Sequence, residues 1–287
     1  MLEPEGILGV MDQNRVIDYY DYTIPFYKMF WHKGTNALHY GLWDANTRTL
    51  SEALINSNKV LSEIADIKES DSVLDAGCGV GGSALWLAKN KGSKVTGITI
   101  SEKQKNKAVT YAMRQEVEEK VEFFVRDFLN TGFPDTTFTV VWAIESVCHA
   151  TRKINFLREA FRILKPGGRI IIADGFLGRE LKDGEQEMYE DFLRGFALYN
   201  LAHVETFESD LKQAGFTNVQ VWDKTKEIQK TSEQMYHLSK SWMWLNKLLV
   251  SLRLIPELMV DNMRTGIVQK EFFAGPGRYA IFYAEKS

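Results

Sequence analysis

The sequence contains only two cysteines, Cys78 and Cys148, in 287 residues. So few cysteines argue against a secreted fold held by disulfides, and free thiols in a reducing compartment are the simpler expectation. Residues 1–5 carry neither a basic region nor an apolar core, so we expect no signal peptide. No uncharged apolar run approaches the ~18 residues that a membrane span needs. These features together predict a cytoplasmic protein without a transmembrane segment.

An excess of positive charge is also missing. The formal net charge is -3 at pH 7, and the lysines and arginines are scattered along the chain. Binding to nucleic-acid phosphates requires a basic stripe, so we expect no nucleic-acid partner. No run of His, Cys and carboxylate residues has the spacing of metal ligands, which predicts metal independence. The 45% hydrophobic content is sufficient for one large core.

What the sequence does contain is a glycine-rich stretch, SVLDAGCGVGGS, at residues 72–83. The apolar pair Val73 and Leu74 at its start predicts a buried strand, and the glycines allow a tight turn into the helical pattern that follows. Because the first amides of a helix lack partners, this arrangement favours binding of the polar part of a nucleotide-like ligand. Gly77, Gly79 and Gly82 also satisfy the G-x-G-x-x-G pattern, so a nicotinamide-dependent oxidoreductase is an alternative.

Two acidic positions bear on the choice between these cofactors. A dinucleotide fold places an acid at the end of its second strand to hold the ribose hydroxyls. Here the second apolar run, residues 94–100, ends without an acid until Glu102. Asp75 instead lies at the end of the first strand, where its carboxylate can hold the loop or face a cationic ligand.

From residue 71 onward, apolar runs alternate with helical patterns. Strands are predicted near 71–76, 93–99, 120–125, 137–143, 168–174, 216–221 and 279–283, and helices near 81–91, 101–117 and 152–164. This alternation predicts an α/β fold, a Rossmann-like, seven-stranded, mostly parallel sheet with helices on both faces. We expect a single domain over 1–287. It comprises an N-terminal helical cap (1–70), a cofactor-binding core (71–175), a helical lid insertion (176–205) and a C-terminal completion of the sheet with an apolar helical insertion (206–287).

Ligands of such sheets bind beyond the carboxyl ends of the strands, so the residues there are candidates for the site. Thr99 and Gln104 follow the second strand, in reach of a ribose or an adenine edge, and Ser101 is the predicted N-cap of the next helix. Asp127 and Phe128 follow the third strand, where a carboxylate and a ring suit an adenine amino group and face.

The order of these motifs carries a resemblance. Residues 75–82 (DAGCGVGG), the acid after the third strand and residues 164–168 (LKPGG) look like the class I methyltransferases that use S-adenosylmethionine. Within that family, residues 80–83, 97–101 and Gln104 resemble the tocopherol methyltransferases and cyclopropane fatty acid synthases. Residues 143–150 (AIESVCHA) are similar to a segment of the sterol C-methyltransferases.

The resemblance implies that S-adenosylmethionine is the cofactor and that the glycine turn surrounds its methionine part. It also implies that Thr99, Ile100 and Gln104 lie near the ribose and adenine, and that Asp127 and Phe128 lie near the adenine. The full predicted cofactor-binding set is Tyr40, Asp75, Gly77, Gly79, Gly81, Thr99, Ile100, Gln104, Asp127, Phe128 and Glu145.

The predicted function is methyl transfer to carbon or oxygen of a hydrophobic or aromatic small molecule. The aromatic-rich stretch 12–31 and the amphipathic helix expected at 183–201 supply the predicted substrate-binding residues, Tyr19, Tyr22, Phe196 and Tyr199. Glu145 and His149, four residues apart, are the predicted catalytic pair, because on a helical turn they share one face. His149 serves as general base for a hydroxyl or amine, whereas Glu145 stabilises a carbocation if an alkene carbon is methylated.

Three questions remain open at this stage. The acceptor is alternatively a small amine such as a glycine derivative, whose carboxylate requires an arginine, and Arg194 is the candidate. The chain is alternatively a binding protein that retains the cofactor fold without transfer. The apolar residues 231–260 pack in the interior, line an access route for substrate, or form a contact with a second copy in a homodimer or with a membrane surface.

Overall fold

The computed structural model describes residues 13–30 and 34–287. Both ends of the aromatic-rich stretch, residues 12 and 31, therefore lie outside the described residues. The strands are β1 Ser72–Ala76, β2 Lys94–Thr99, β3 Val121–Val125, β4 Phe138–Ile144, β5 Leu164–Leu177, β6 Thr217–Asp223 and β7 Gly277–Glu285. The helices are α1 Gln13–Phe30, α2 Leu50–Ile64, α3 Gly82–Lys91, α4 Glu102–Gln115, α5 Lys153–Ile163, α6 Gln186–Gly195, α7 Val204–Gln213, α8 Gln229–Ser251 and α9 Leu258–Ala274.

The strands form one seven-stranded sheet in the order β3-β2-β1-β4-β5-β7-β6. The first five strands are parallel, and β7 lies antiparallel between β5 and β6. The predicted Rossmann-like, mostly parallel sheet is confirmed. The strand order reverses between β1 and β4, so a crevice forms at their carboxyl ends, where ligands of this architecture bind.

Helices cover both faces of the sheet. On one face, buried side chains of α2, α3 and α4 pack in a core that includes Val73 and Trp142. On the other face, α5 and α7 cover a core that includes Leu74 and Phe282. Alternate residues of the central strands thus point into opposite cores, as expected for a sheet buried on both sides. None of the helices within residues 13–30 and 34–287 is long and apolar enough to cross a bilayer.

Two predicted helical segments have different bounds in the structure. The helix expected at 183–201 ends at Gly195, because Ala197 adopts a left-handed conformation (φ 52°) and the Leu198 N–H bonds back to the Leu193 carbonyl. The apolar segment expected at 231–260 is divided between α8 and α9, with Arg253 in a left-handed conformation (φ 58°) between them. In both breaks the left-handed position is occupied by a residue other than glycine.

Candidate functional site

A cavity of about 380 Å³ lies at the carboxyl ends of β1, β2 and β4. Its wall includes the glycine turn, the ends of these strands, the segment 36–40, α1 and residues of α6, α8 and α9. Of the predicted site residues, those that line it are Tyr19, Tyr40, Asp75, Gly77, Gly79, Thr99, Ile100, Gln104, Asp127, Phe128, Glu145, His149 and Phe196. Most of the predicted set is therefore brought together around one space.

The glycine turn forms the floor of this cavity. The N–H groups of Gly77 and Cys78 both donate to the Ile98 carbonyl, at 3.0 and 2.9 Å, which ties the turn to β2. Gly77 has a φ of 87°, and a Cβ there would lie 2.4 Å from the Ser146 Cβ. Glycine is therefore required at this position by both backbone conformation and packing. The turn ends where α3 begins, and the first two residues of this helix, Gly82 and Ser83, line the cavity.

Gly81 does not line the cavity. It precedes α3 with a φ of 87°, and a Cβ there would meet the Phe123 ring at 3.0 Å and Ala108 at 3.1 Å. Gly81 thus allows close packing of the turn against β3 and α4, and its contact with the cofactor stays a prediction. Gly79, by contrast, would place a Cβ 3.4 Å from Leu38 in the cavity wall.

Asp75 places a carboxyl group in the cavity wall. Its Oδ2 atom is buried and has no hydrogen-bond partner among the described residues. Burial raises the pKa of Asp75 to about 7, and a hydrogen bond from the Ala84 backbone N–H offsets this only in part. Burial makes ionisation of this carboxyl group unfavourable, and a positive charge brought into the cavity relieves that cost. Asp75 thus fits a cationic ligand.

The polar groups after β2 are held by local hydrogen bonds. Ser101 Oγ accepts from the Gln104 N–H at 3.2 Å, which confirms Ser101 as the N-cap of α4. The Gln104 side chain turns to Thr99, whose Oγ1 donates to Gln104 Oε1 at 2.5 Å. Ser101 also donates to Asp21 of α1 at 2.8 Å. This corner of the cavity is therefore rigid, and it connects α4 to α1.

Asp127 and Phe128 lie where β3 ends. Asp127 Oδ1 accepts from the Leu129 N–H at 2.8 Å, and this bond shapes the loop after the strand. The Phe128 ring packs edge-on against Phe156, with ring centroids 5.3 Å apart. Phe128 thus contacts the hydrophobic core through Phe156 and also lines the cavity.

Glu145 is bound from two directions at the end of β4. Its Oε1 atom accepts from the Tyr40 backbone N–H at 2.7 Å and from the Tyr279 hydroxyl at 2.8 Å. Burial raises the pKa of Glu145 to about 8, against the effect of these two donors. The prediction that Glu145 and His149 share a helical turn is wrong. Glu145 has a φ of 48°, and a short 3₁₀ turn begins only at Val147.

His149 is paired with a residue that the sequence did not indicate. Its Nδ1 lies 3.2 Å from the Ala197 carbonyl, and its Nε2 lies 2.9 Å from the Tyr20 hydroxyl. A carbonyl oxygen only accepts, so Nδ1 carries the proton and Nε2 accepts from Tyr20. Because protein encloses the ring, the pKa of His149 is lowered to about 4. His149 is therefore neutral near pH 7, with its basic nitrogen on the Tyr20 hydroxyl.

A buried lysine fixes the loop that carries His149. Lys153 Nζ donates to the carbonyls of Cys148 and Ala150, at 2.9 and 2.6 Å, and to both oxygens of Asn200. Asp174 accepts from the Cys148 N–H at 2.9 Å on the other side of the same loop. These contacts hold residues 148–150 against the segment after α6.

Three residues considered for the acceptor lie outside the cavity wall. Tyr22 is 54% exposed, because the buried face of α1 is formed by residues 16, 19, 20 and 23. Tyr199 follows the left-handed turn at Ala197 and is not part of the wall. Arg194 pairs with Asp191 at 3.2 Å, likewise outside the wall, so the arginine proposed for a glycine-type substrate is not at the site.

Comparisons with known proteins agree with this geometry. A family model described as "Methyltransferase domain" matches residues 74–172. Methyltransferase GfsG of Streptomyces halstedii is 30% identical over 229 residues, which are 79% of this chain and 81% of that protein. The 27-O-demethylrifamycin SV methyltransferase of Amycolatopsis mediterranei is 33% identical over 178 residues, 62% of this chain and 65% of that protein. The structure of the cyclopropane synthase MmaA2 from Mycobacterium tuberculosis has a similar fold, with a TM-score of 0.81 and 16% sequence identity. The match covers 95% of this chain and 98% of that one.

Proposed function

The chain belongs to the class I methyltransferases that use S-adenosylmethionine, and on that premise we propose that it methylates a hydroxyl group of a hydrophobic or aromatic small molecule. Family membership replaces the oxidoreductase alternative that the glycine spacing had left open. The observation that carries the proposal is the hydrogen bond between Tyr20 and His149 in a largely apolar cavity.

The described residues fit the cofactor. The cavity offers the buried, unpartnered Oδ2 of Asp75 for its positive charge, and the polar pair Thr99–Gln104 together with the Phe128 ring for its nucleoside. S-adenosylmethionine supplies a methyl group on a positively charged sulfur, and an in-line displacement transfers it. We assign Glu145 to the cofactor as well, because it lines the same cavity and burial raises its pKa, a shift that a nearby cation opposes.

Tyr20 and His149 take the proton that the acceptor loses. In the proposed path, the acceptor hydroxyl gives its proton to the Tyr20 oxygen as Tyr20 gives its own proton to His149 Nε2. The oxygen of the acceptor becomes far more acidic as the new C–O bond forms, so even a weak base accepts the proton at that point. The hydrogen bond from His149 Nδ1 to the Ala197 carbonyl holds the imidazole in the required tautomer.

The remaining wall supports an apolar acceptor. Tyr19 is buried and its hydroxyl accepts from the Asn262 side chain at 3.1 Å, so its ring is fixed in the wall. Phe196 packs edge-on against Phe192 at 5.2 Å, and both line the cavity. The main work of such a cavity is to orient the acceptor and exclude water, which together account for much of a displacement's acceleration. We therefore propose Tyr19 and Phe196 as contacts of the acceptor.

The test is methyl transfer from labelled S-adenosylmethionine to a panel of hydrophobic alcohols and phenols, with sarcosine and dimethylglycine alongside. With an acceptor in hand, His149→Gln is expected to lower kcat by about 10²- to 10⁴-fold, and Tyr20→Phe by a smaller factor, since each removes one group of the proton path. Affinity for S-adenosylhomocysteine should stay unchanged in both variants.

Tyr22→Phe is the matched control, since it removes a hydroxyl from the same helix outside the cavity, and it should leave kcat unchanged. Methylation confined to the amino acids would contradict the hydroxyl proposal. Tight binding of S-adenosylhomocysteine with no product from any acceptor would instead indicate a protein that binds the cofactor without transfer.

A further inference from the structure

The second half of α8 presents an apolar stripe to solvent. Trp244 and Leu248 of α8 and Leu252, the C-cap of this helix, recur at intervals of four residues, and they are 66%, 46% and 57% exposed. Leu254, just past the helix, is 67% exposed. Among the described residues, these are four of the eight large hydrophobic side chains that are exposed, and they fall within eleven positions. Scattered apolar side chains are ordinary on a surface, but a contiguous group marks an interaction site.

The charged residues within this segment of the chain are all basic. Between residues 234 and 256 the sequence contains Lys240, Lys247 and Arg253 and no acidic residue, whereas the whole chain carries a net charge of -3. All three basic residues are exposed, and Lys247 lies on the same helix face as the apolar stripe. A helix face with tryptophan and leucine flanked by lysine and arginine is typical of segments that lie in the interface of an anionic bilayer.

The turn that follows α8 places two more exposed side chains, Arg253 and Leu254, next to this stripe, and Arg253 has a strained backbone conformation. The Arg253 N–H bonds to the Val250 carbonyl at 2.8 Å, and the Leu254 N–H bonds to the Leu249 carbonyl at 2.9 Å. This is the hydrogen-bond pattern that favours glycine at the left-handed position, yet Arg253 occupies it with a φ of 58°. The residue after it commonly packs back on the helix, whereas Leu254 faces solvent. The turn thus presents a cation and a leucine side by side.

The same helix reaches the cavity. Met235 lines the cavity wall and accepts from the Tyr40 hydroxyl through its sulfur, at 3.8 Å. At a rise of about 1.5 Å per residue, Trp244 lies roughly 14 Å further along the helix. A surface that holds this end of α8 therefore lies close to the chamber proposed for the acceptor.

We propose that Trp244, Lys247, Leu248, Leu252, Arg253 and Leu254, the α8 surface patch, dock onto the surface of a bilayer that contains anionic lipids. The apolar side chains enter the headgroup region, and the basic side chains contact lipid phosphates. Because the overall charge of the chain is negative, the local positive charge also orients the protein on such a surface.

The test is co-sedimentation of the full chain with sucrose-loaded vesicles of phosphatidylcholine alone or with about 30% phosphatidylglycerol. We expect binding to the anionic vesicles and weak binding to the neutral ones, with partial release at about 0.5 M salt because screening weakens the charge contribution. Trp244→Ser combined with Leu248→Ser should lower the partition coefficient by about tenfold or more. Ile55→Ser with Met113→Ser, which removes exposed apolar side chains elsewhere, should change it little.

Charge variants separate the patch from overall charge. Lys247→Glu with Arg253→Glu should abolish the preference for anionic vesicles, whereas Lys89→Glu with Lys165→Glu alters the net charge equally and should retain it. Arg253→Gly relieves the left-handed strain, so it should fold at least as well as the wild type while binding vesicles several-fold less. Binding of S-adenosylhomocysteine by every variant verifies that the cofactor site is intact.

Two results would overturn the proposal. One is equal vesicle binding by the wild type and the serine variant. The other is a wild type that does not bind vesicles and is a dimer, while the serine variant is a monomer. That result would assign the patch to contact with a second copy of this chain. Since the assay contains no acceptor, neither result bears on the proposed methyl transfer.

Discussion

Replacing Asp75 by Asn should make the protein without ligand more stable at neutral and alkaline pH. The carboxyl group is buried in the cavity wall, with Oδ2 unpartnered among the described residues, and burial raises its pKa from 3.8 to about 7. In the unfolded chain the same group loses its proton near pH 3.8. Between these two values the folded state binds more protons than the unfolded state, so the free energy of unfolding falls as the pH rises.

The magnitude follows from the two pKa values. A difference of about three pH units at about 1.4 kcal/mol per unit gives a loss of at most about 4 kcal/mol, complete above pH 7. An asparagine does not titrate, so it avoids this loss and adds only a pH-independent offset. The gain of Asp75→Asn over the wild type should therefore grow by about 1.4 kcal/mol per pH unit from pH 4 to pH 7 and then level off.

The assay is urea denaturation of both proteins at several values between pH 5 and pH 8. Asp71→Asn is the matched control, because Asp71 pairs with Arg169 at 2.6 Å and its pKa is lowered although burial opposes this. Its replacement should destabilise the protein by a nearly constant amount between pH 5 and pH 8, because a lowered pKa makes the stabilisation by Asp71 complete above about pH 4. Parallel stability curves for the wild type and Asp75→Asn would refute the reasoning. Calorimetry should further show weaker binding of S-adenosylmethionine to Asp75→Asn.

Two further predictions concern packing around the site. Gly77→Ala should lower the free energy of unfolding by about 2 to 4 kcal/mol, because an alanine there adopts a left-handed conformation and also clashes with Ser146. Gly167→Ala is the control, since Gly167 has a φ of 73° but open space around it, and it should cost only about 1 kcal/mol. Equal losses of stability in thermal denaturation would contradict this. Lys153→Met should lower the free energy of unfolding by about 3 kcal/mol and also lower kcat, because the carbonyls of Cys148 and Ala150, next to His149, lose their hydrogen-bond donor. Lys165→Met, at an exposed position, should change neither quantity.

The parts of the molecule that the sequence predicted depend on local patterns. Ser101 caps α4 at the expected residue, and the bond between Thr99 and Gln104 joins side chains only five positions apart. The Tyr20–His149 and Glu145–Tyr279 bonds join residues more than a hundred positions apart, so no periodicity or spacing indicates them. Tyr22 is a different case. It was predicted from the density of aromatic residues alone, without considering that Tyr19 and Tyr22 occupy different positions around the same helix.

The sequence analysis missed the breaks in two predicted helical segments for a physical reason. A helix that ends in a left-handed residue is normally recognised by glycine, and here Ala197 and Arg253 adopt that conformation instead. The apolar content of residues 231–260 was evident from the sequence, but the break between α8 and α9 and the exposure of Trp244, Leu248 and Leu252 required the structure.

The position of β7 has a consequence for biosynthesis. This strand is made after β6, yet it lies between β5 and β6, and it supplies the Tyr279 hydroxyl that binds Glu145. While a ribosome is still adding residues 277–285, β6 has no neighbour to pair with and the outer edge of β5 is bare. Such an edge can pair with another nascent chain. Pairing of residues 277–285 with both β5 and β6 is therefore the step that closes this edge of the sheet.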